Sequence, residues 1–175
     1  DAARTLNLSG VALSGGAILN LGTIDIIGNS SISNDALSNA QLTIDATRTL
    51  TLNGVALNGG AISNFGTIDI IGDSSISNDA LSNTQLTIDG GKTLNLNGTI
   101  VTGGIVTDNG SIHVTGARWI NSAAVNGGQV TIDATRTLTL DNTTVTGTTI
   151  ADNGTVKVDA ARTLNLSGVA LSGGA

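Results

Sequence analysis

Residues 42–54 read LTIDATRTLTLNG, and this segment contains the pattern from which the fold can be predicted. It returns as LTIDGGKTLNLNG at residues 86–98 and as VTIDATRTLTLDN at residues 130–142. Apolar and polar residues alternate on both sides of an Asp-x-x-Arg/Lys step. Alternation with a period of two places successive side chains on opposite faces of a β-strand. Each copy therefore predicts two short strands joined by a turn, with residues such as Leu50 pointing inward and Thr51 pointing outward.

These copies belong to a longer repeat. Two 44-residue units align without a gap and differ at eight positions; a third full unit and a shortened fourth unit follow, and the last 17 residues repeat the first 17 letter for letter. The units span residues 1–44, 45–88, 89–132, 133–158 and 159–175. Self-similarity at a fixed period is typical of solenoids. We therefore expect residues 1–175 to form a single β-solenoid segment of a longer tandem array.

The turn signals divide each 44-residue unit into two coils of about 25 and 19 residues. Examples are residues 42–66 and 67–85, followed by residues 86–110 and 111–129. Coils of this size predict an all-β parallel β-helix of about eight rungs, each hydrogen-bonded to its neighbours at a spacing of roughly 4.8 Å. Loss of one 19-residue rung explains the short fourth unit. A β-sandwich is the alternative, but sandwich domains rarely repeat internally at half their own size.

The alternation also predicts which side chains fill the core. We expect inward columns of Leu, Ile and Val, including Leu50, Ile68, Ile70, Leu94 and Ile112. Two further expectations concern smaller or larger side chains at special places. Ala80 and Ala124 should point inward where the cross-section is narrow, and Phe65 should be a local adjustment of the core.

Composition excludes several classes of function. The net charge is −6, with seven Lys and Arg against thirteen acids, all of them Asp, so a basic surface for nucleic acid is absent. The sequence has no apolar run of the roughly 20 residues that span a bilayer, so we expect no membrane contact within this segment. It also lacks Cys, which removes disulfides and thiolate metal sites. The absence of Met indicates a mature segment or a fragment.

We expect no catalytic, cofactor or metal site. The single histidine has no neighbouring nucleophile motif, and phosphate- or dinucleotide-binding fingerprints are missing. The Gly-Gly-x-Gly-x-Asp calcium repeat is also missing. The Asp-x-x-Arg/Lys motif starts at Asp1, Asp45, Asp89, Asp133 and Asp159, whereas a catalytic site is normally unique in a chain. We therefore interpret it as a structural corner, capped by the Asp side chain, whose charges stack along one edge of the rod.

One place departs from the repeat in an informative way. The third unit carries His113, Arg118 and Trp119 where the second unit has Asp69, Ser74 and Ser75. An exposed Trp beside an Arg, on a surface otherwise made of Ser, Thr and Asp, is the best candidate contact surface in the chain. The alternative interpretation is a side chain that lies flat on the rod or packs on a neighbouring rod.

Two motifs resemble the repeats of large bacterial surface proteins: Leu-Thr-Ile-Asp-x-x-x-Thr-Leu-x-Leu-x-Gly at residues 86–98 and Ile-x-Asn-x-Gly-Thr-Ile at residues 62–68. These proteins are the haemagglutinin-like and autotransporter-like adhesins, whose stalks are right-handed parallel β-helices. The resemblance implies an extracellular or cell-surface stalk or filament that projects or carries adhesive elements. Because neither terminus departs from the repeat and open solenoid ends expose unpaired strand edges, we also expect the segment to associate with itself, end to end or laterally. An adhesive module for surface glycans is the alternative, and an ice-binding face made of outward Thr rows is a minor one.

Overall fold

The computed structural model describes residues 3–174, which contain strands, turns and bends but no helix. The strands are, in chain order, β1 (Thr5–Leu8), β2 (Ala12–Leu19), β3 (Thr23–Ile26), β4 (Ser30–Ser38), β5 (Gln41–Ile44), β6 (Thr49–Asn53), β7 (Ala56–Asn64), β8 (Thr67–Ile70), β9 (Ser74–Ser82), β10 (Gln85–Ile88), β11 (Thr93–Asn97), β12 (Ile100–Thr102), β13 (Ile105–Asp108), β14 (Ser111–Val114), β15 (Arg118–Asn121), β16 (Ala124–Asn126), β17 (Gln129–Ile132), β18 (Thr137–Asp141), β19 (Thr143–Thr146), β20 (Thr149–Asp152), β21 (Thr155–Lys157), β22 (Leu164–Ser167) and β23 (Ala170–Gly173). The pairs are all parallel, and the chain winds through about nine turns. The predicted parallel β-helix is confirmed, and its length is close to the expected eight rungs.

Each turn of the solenoid crosses three faces. The first face contains β1, β3, β5, the ends of β7 and β9, then β12, β15, β18 and β21. The second contains the starts of β2 and β4, then β6, β8, β10, β13, β16, β19 and β22. The third contains the ends of β2 and β4, the starts of β7 and β9, then β11, β14, β17, β20 and β23.

The coils are more uniform than the sequence suggested. Residues that pair in adjacent coils are 18 positions apart at Thr5 and Thr23, 20 apart at Gln41 and Ala61, and 21 apart at Thr149 and Ala170. The expected alternation of 25- and 19-residue rungs is therefore wrong. Many of the turn signals are bends between two faces of one coil, so they do not mark coil boundaries.

The 44-residue unit does not contain a whole number of coils. It supplies seven strand segments, which is two coils and one further face. Equivalent residues of successive units therefore lie on successive faces: Thr5 on the first, Thr49 on the second, Thr93 on the third and Thr137 on the first again. The rod repeats its surface by a screw of one-third of a turn per unit. The short fourth unit has four segments, so it lacks one complete coil of three faces.

The interior matches the predicted alternation. Leu50, Ile68, Ile70, Leu94 and Ile112 are at most 1% exposed, and they belong to one continuous cluster of Leu, Ile and Val. β-Branched side chains suit such columns because their restricted χ1 fits a pleated surface. Two smaller expectations are wrong. Ala80 is exposed on the outer surface, and Ala124 also points outward, since Val125 beside it is buried. Phe65 is 58% exposed at a turn that Leu21 occupies in the first unit.

The Asp-x-x-Arg/Lys motif forms a corner, as predicted, but the main chain closes it. The carbonyl of Asp45 accepts the N–H of Arg48 at 3.0 Å, and the copies at residues 89–92, 133–136 and 159–162 form the same hydrogen bond. The side-chain cap expected for Asp45 is not among the hydrogen bonds of residues 3–174. The screw distributes these corners around the rod, so the expectation that they stack along one edge is wrong. Asp1 lies outside the described residues.

Candidate contact surface

The structure does not bring His113, Arg118 and Trp119 together. His113 points outward from β14 on the third face, whereas Trp119 points outward from β15 on the first face. Arg118 points into the solenoid. The sequence identified three unusual residues within seven positions, but a bend lies between β14 and β15. The predicted three-residue contact surface is therefore reduced to one candidate, Trp119.

Arg118 is 1% exposed, which corrects its assignment to the surface. Its guanidinium group donates hydrogen bonds to the main-chain carbonyls of Leu96 and Ala117. Burial lowers the pKa of Arg118 to about 10, because the charged form loses hydration. The alternation itself carried the signal for this orientation. With Ile120 inside and Trp119 outside, the preceding residue must point inward.

His113 lies in a short polar stack on the third face. Its Nε2 is 2.7 Å from Oδ1 of Asp133, and its Nδ1 is 3.2 Å from Oδ1 of Asn95. Asn95 points outward from the preceding coil, and Asp133 lies in the corner that follows β17 in the next coil. These contacts hold the ring along the surface of the rod, so His113 has the role of a bridge between three consecutive coils.

Trp119 lies in an apolar row on the first face. It pairs with Ile100 in the preceding coil, and the row continues through Ala80 to Ala61. Trp119 and Ile100 are each 42% exposed. A parallel row of polar residues, Ser63, Ser82, Thr102 and Asn121, runs beside it. We call these two rows together the Trp119 face.

The Trp119 face contains both a depression and a ridge. The side chains of Ala61 and Ala80 form the floor of a shallow depression of about 370 Å³, which Ser63, Ser82 and Thr102 also line. Ile100 forms its end wall, and Trp119 extends the ridge by one more coil. A similar depression, floored by Ala and about 340 Å³ in volume, lies one unit earlier on the third face at Ala17, Ala36 and Ala56.

The outward Thr rows do not form one array. Thr51 on the second face pairs with Asp69 in the next coil, and Asp69 pairs with Thr87. The equivalent Thr residues of the other units lie on other faces because of the screw. A flat Thr lattice of the kind that the ice-binding alternative requires is therefore interrupted.

A polar turn position that the sequence analysis did not single out recurs at the equivalent positions 20, 64, 108 and 152, which the screw places on successive faces. The hydrogen bonds of Asn64 show how an amide side chain fits this position. Its Nδ2 donates to Oδ1 of Asn83 and to the carbonyl of Gln85, and its Oδ1 accepts the N–H of Gly66. Asn20 forms the same three bonds one unit earlier. The Asn-x-Gly recurrence at a spacing of 44 was the available signal.

Asp108 occupies this amide position in the third unit. Its Oδ1 accepts the N–H of Gly110 at 2.9 Å, but its Oδ2 is buried without a hydrogen-bond partner in the described chain. The Asn83 partner is replaced at the equivalent position by Gly127. Asp108 is 1% exposed, and burial raises its pKa to about 6, although the main-chain N–H groups of Gly110, Gln129 and Ile112 favour the charged form. Asp79, also buried, has its pKa raised to about 7 for the same reason.

We predict that Asp108→Asn stabilises the protein at neutral pH. The folded-state pKa of Asp108 exceeds the ordinary value of 3.8, so the folded state binds the proton more tightly and loses stability as pH rises from about 4 to about 6. The amide would keep the hydrogen bond from the N–H of Gly110, as Asn20 and Asn64 do at the equivalent positions, and would remove the cost of burying a charge. Urea unfolding at pH 8 should show a gain of roughly 1–3 kcal/mol, and unfolding at pH 4 should show little change.

Asp152→Asn is the matched control. Both carboxylate oxygens of Asp152 accept main-chain hydrogen bonds, from Gly154 at 2.9 Å and from Val156 at 3.1 Å. An amide at this position would place a donor against the N–H of Val156 and should destabilise the protein. Equal effects of the two substitutions would contradict the explanation.

Other kinds of site find little support in the described chain. Residues 3–174 hold no group of three or more His, Cys, Asp or Glu side chains placed to bind a metal ion. The same residues form no helix that is long and apolar enough to cross a membrane. In comparisons with known proteins, no family model, curated protein or solved structure matches the chain.

Proposed function

We propose that this chain is a structural segment of an extracellular bacterial filament or adhesin stalk, in which stacked coils give a long, stiff rod. The observation that carries the proposal is the continuity of the repeat through the stack. Residues 164–173 repeat residues 6–15, and their strands β22 and β23 pair in parallel with β19 and β20 as the next coil of the same solenoid. The restart of the repeat at residue 159 thus continues the same stack of coils.

The continuity also gives the geometry of a longer array. The 158-residue unit contains 25 strand segments, which is eight coils and one further face. At roughly 4.8 Å per coil, each unit advances the rod by about 40 Å and turns it by one-third of a revolution. Alternating coils of 25 and 19 residues would instead give seven rungs and an axial repeat of about 34 Å per unit. Identical faces return after three units.

A stiff spacer needs neither a catalytic group nor a ligand site, and its stability grows with the interfaces between neighbouring coils. The outer surface is mainly Ser, Thr, Asn and Asp, which suits a hydrated surface. The resemblance of residues 62–68 and 86–98 to adhesin stalks supports an extracellular location. Antibody labelling of intact source cells tests that location directly.

We expect the length of the rod to grow in equal steps with the number of units. Single chains carrying one, two and three copies of the 158-residue unit should differ by about 40 Å in maximum dimension and keep one cross-sectional radius. Small-angle X-ray scattering measures both quantities. A compact particle whose radius grows with copy number would overturn the rod.

An adhesive module remains the second candidate, because Trp119 is exposed beside the polar side chains of Thr102 and Asn121. Aromatic rings with adjacent hydrogen-bonding groups are frequent contact residues in interfaces. A glycan array probed with the native chain and with Trp119→Ser separates the two functions. Binding that requires Trp119 favours adhesion.

A further inference from the structure

We propose that the Trp119 face pairs with the Trp119 face of a second copy of this chain, with the two rods antiparallel. The inference goes beyond the stalk function, since a rod can act as a spacer whether or not it pairs laterally. It rests on three properties of the face: its charge, its rung spacing and the order of depression and ridge along the rod.

The absence of charged outward side chains permits self-association at this face. The chain has a net charge of −6, so most approaches of two copies are repulsive. The outward residues of the first face from Gln41 to Asn121 are all uncharged, over five consecutive coils. Asp25 lies beyond one end of this stretch and Asp141 beyond the other, so each marks its limit. Two copies can therefore meet here without bringing like charges into contact.

Rung spacing favours a partner of the same fold. Outward side chains of the Trp119 face repeat once per coil, at roughly 4.8 Å. A second solenoid presents rows with the same spacing, so each residue of one rod can meet a residue of the other in register. A globular partner has no such periodicity. The contact therefore fits another copy of this chain.

The order of depression and ridge fixes the orientation. A two-fold axis that lies in the interface, perpendicular to the rods, keeps the apolar row facing the apolar row and reverses the axial order. Trp119 of one copy then lies over Ala61 of the other, and Ile100 lies over Ala80. A two-fold axis parallel to the rods would instead place the apolar row over Ser63, Ser82, Thr102 and Asn121. Only the antiparallel pair puts the ridge into the depression, twice, as an isologous interface requires.

The size of the face predicts a weak contact. Five coils extend about 24 Å, and a strand of three to four residues is about 10–13 Å wide, which gives roughly 250–300 Å² per partner. Stable dimers bury roughly 800 Å² per partner. Single segments should therefore pair only at high concentration, on the order of 0.1–1 mM. In a long array the face returns in the same direction after three 158-residue units, about 120 Å along the rod, so long rods can associate through several contacts at once.

The sole Trp makes the test direct. We expect the weight-average mass in sedimentation equilibrium to rise toward the dimer by about 1 mM, and the Trp119 emission to shift to shorter wavelength over the same range. Trp119→Ser restores the residue found at the equivalent positions 31 and 75, so the variant should fold, and it should weaken association roughly tenfold or more. Ile105→Ala is the control, because Ile105 is 45% exposed on the second face and should leave pairing unchanged.

Orientation is tested by cross-linking, since the chain has no Cys. In the antiparallel pair position 63 lies opposite position 121. A mixture of Ser63→Cys and Asn121→Cys chains should therefore cross-link with a short bismaleimide far more than either chain alone. Preferential cross-linking of Ser63→Cys to itself would overturn the antiparallel pair. A monomeric chain at 1 mM, pairing unaffected by Trp119→Ser, or a Trp119 shift caused only by added glycan would overturn the proposal. None of these results bears on the rod length, which tests the proposed function separately.

Discussion

Replacing Ile68 with Asp should unfold the solenoid around β8. Ile68 is completely buried between Leu50 and Leu86 of the adjacent coils, and a carboxylate there would be surrounded by Leu and Ile side chains. No hydrogen bond or opposite charge would compensate for the lost hydration of this carboxylate. We therefore expect the free energy of unfolding to fall by about 4–5 kcal/mol. Because each coil is stabilised mainly by its neighbours, the damage should spread to both of them. Urea unfolding followed by far-ultraviolet circular dichroism measures the loss.

Thr67→Asp is the matched control one position away. Thr67 points outward, and its neighbours across the coils, Thr49 and Gln85, are uncharged. The same carboxylate should therefore change stability by about 0.5 kcal/mol or less. A folded Ile68→Asp protein with the stability of the Thr67→Asp protein would show that the inward and outward assignment is wrong.

Gly110→Ala should strongly destabilise the solenoid at a corner. A Cβ at this position would lie 2.2 Å from the carbonyl oxygen of Lys92 and 2.5 Å from that of Asp89, both in the corner of the preceding coil. The clash is with main chain, so no side-chain rotation relieves it. We expect a loss of about 3 kcal/mol or more. Gly66 and Gly154 are in the same position against the corners at residues 45–48 and 133–136.

Gly91→Ala separates the effect of space from that of backbone conformation. Gly91 has a φ of 72°, but a Cβ there meets nothing within 4 Å. The corner tolerates side chains at this position, since Ala161 has a φ of 59° and Thr47 a φ of 65°. Gly91→Ala should therefore cost only about 1–2 kcal/mol. Similar losses for Gly91→Ala and Gly110→Ala in thermal unfolding would contradict the close packing of the corners.

The inward columns were predictable because alternation is a local property of a strand. Each of Leu50, Ile68 and Leu94 could be assigned from its two or three nearest neighbours in sequence. The Asp-x-x-Arg/Lys corner was predictable for a similar reason, since its turn is closed within four residues. The same local rule would also have placed Arg118 inside, because it precedes Trp119 in one strand.

The coil length could not be read from the repeat, because the sequence period and the structural period differ. A 44-residue unit ends one face later than it began, so the copies align in sequence while they rotate in space. Only the pairing of strands in adjacent coils shows that Thr5, Thr49 and Thr93 lie on three different faces. The bend between β14 and β15, which separates His113 from Trp119, became apparent in the same way.

Alternation and repetition along the chain are enough to predict that short strands stack around an apolar core and that the stack continues from unit to unit. Which residues share a surface follows only from the three-dimensional structure. It placed Ile100 beside Trp119, although they are 19 positions apart, and it left Asp108 in a position built for an amide. Such neighbours depend on the angle through which the chain turns at each bend, and that angle is set by packing between coils.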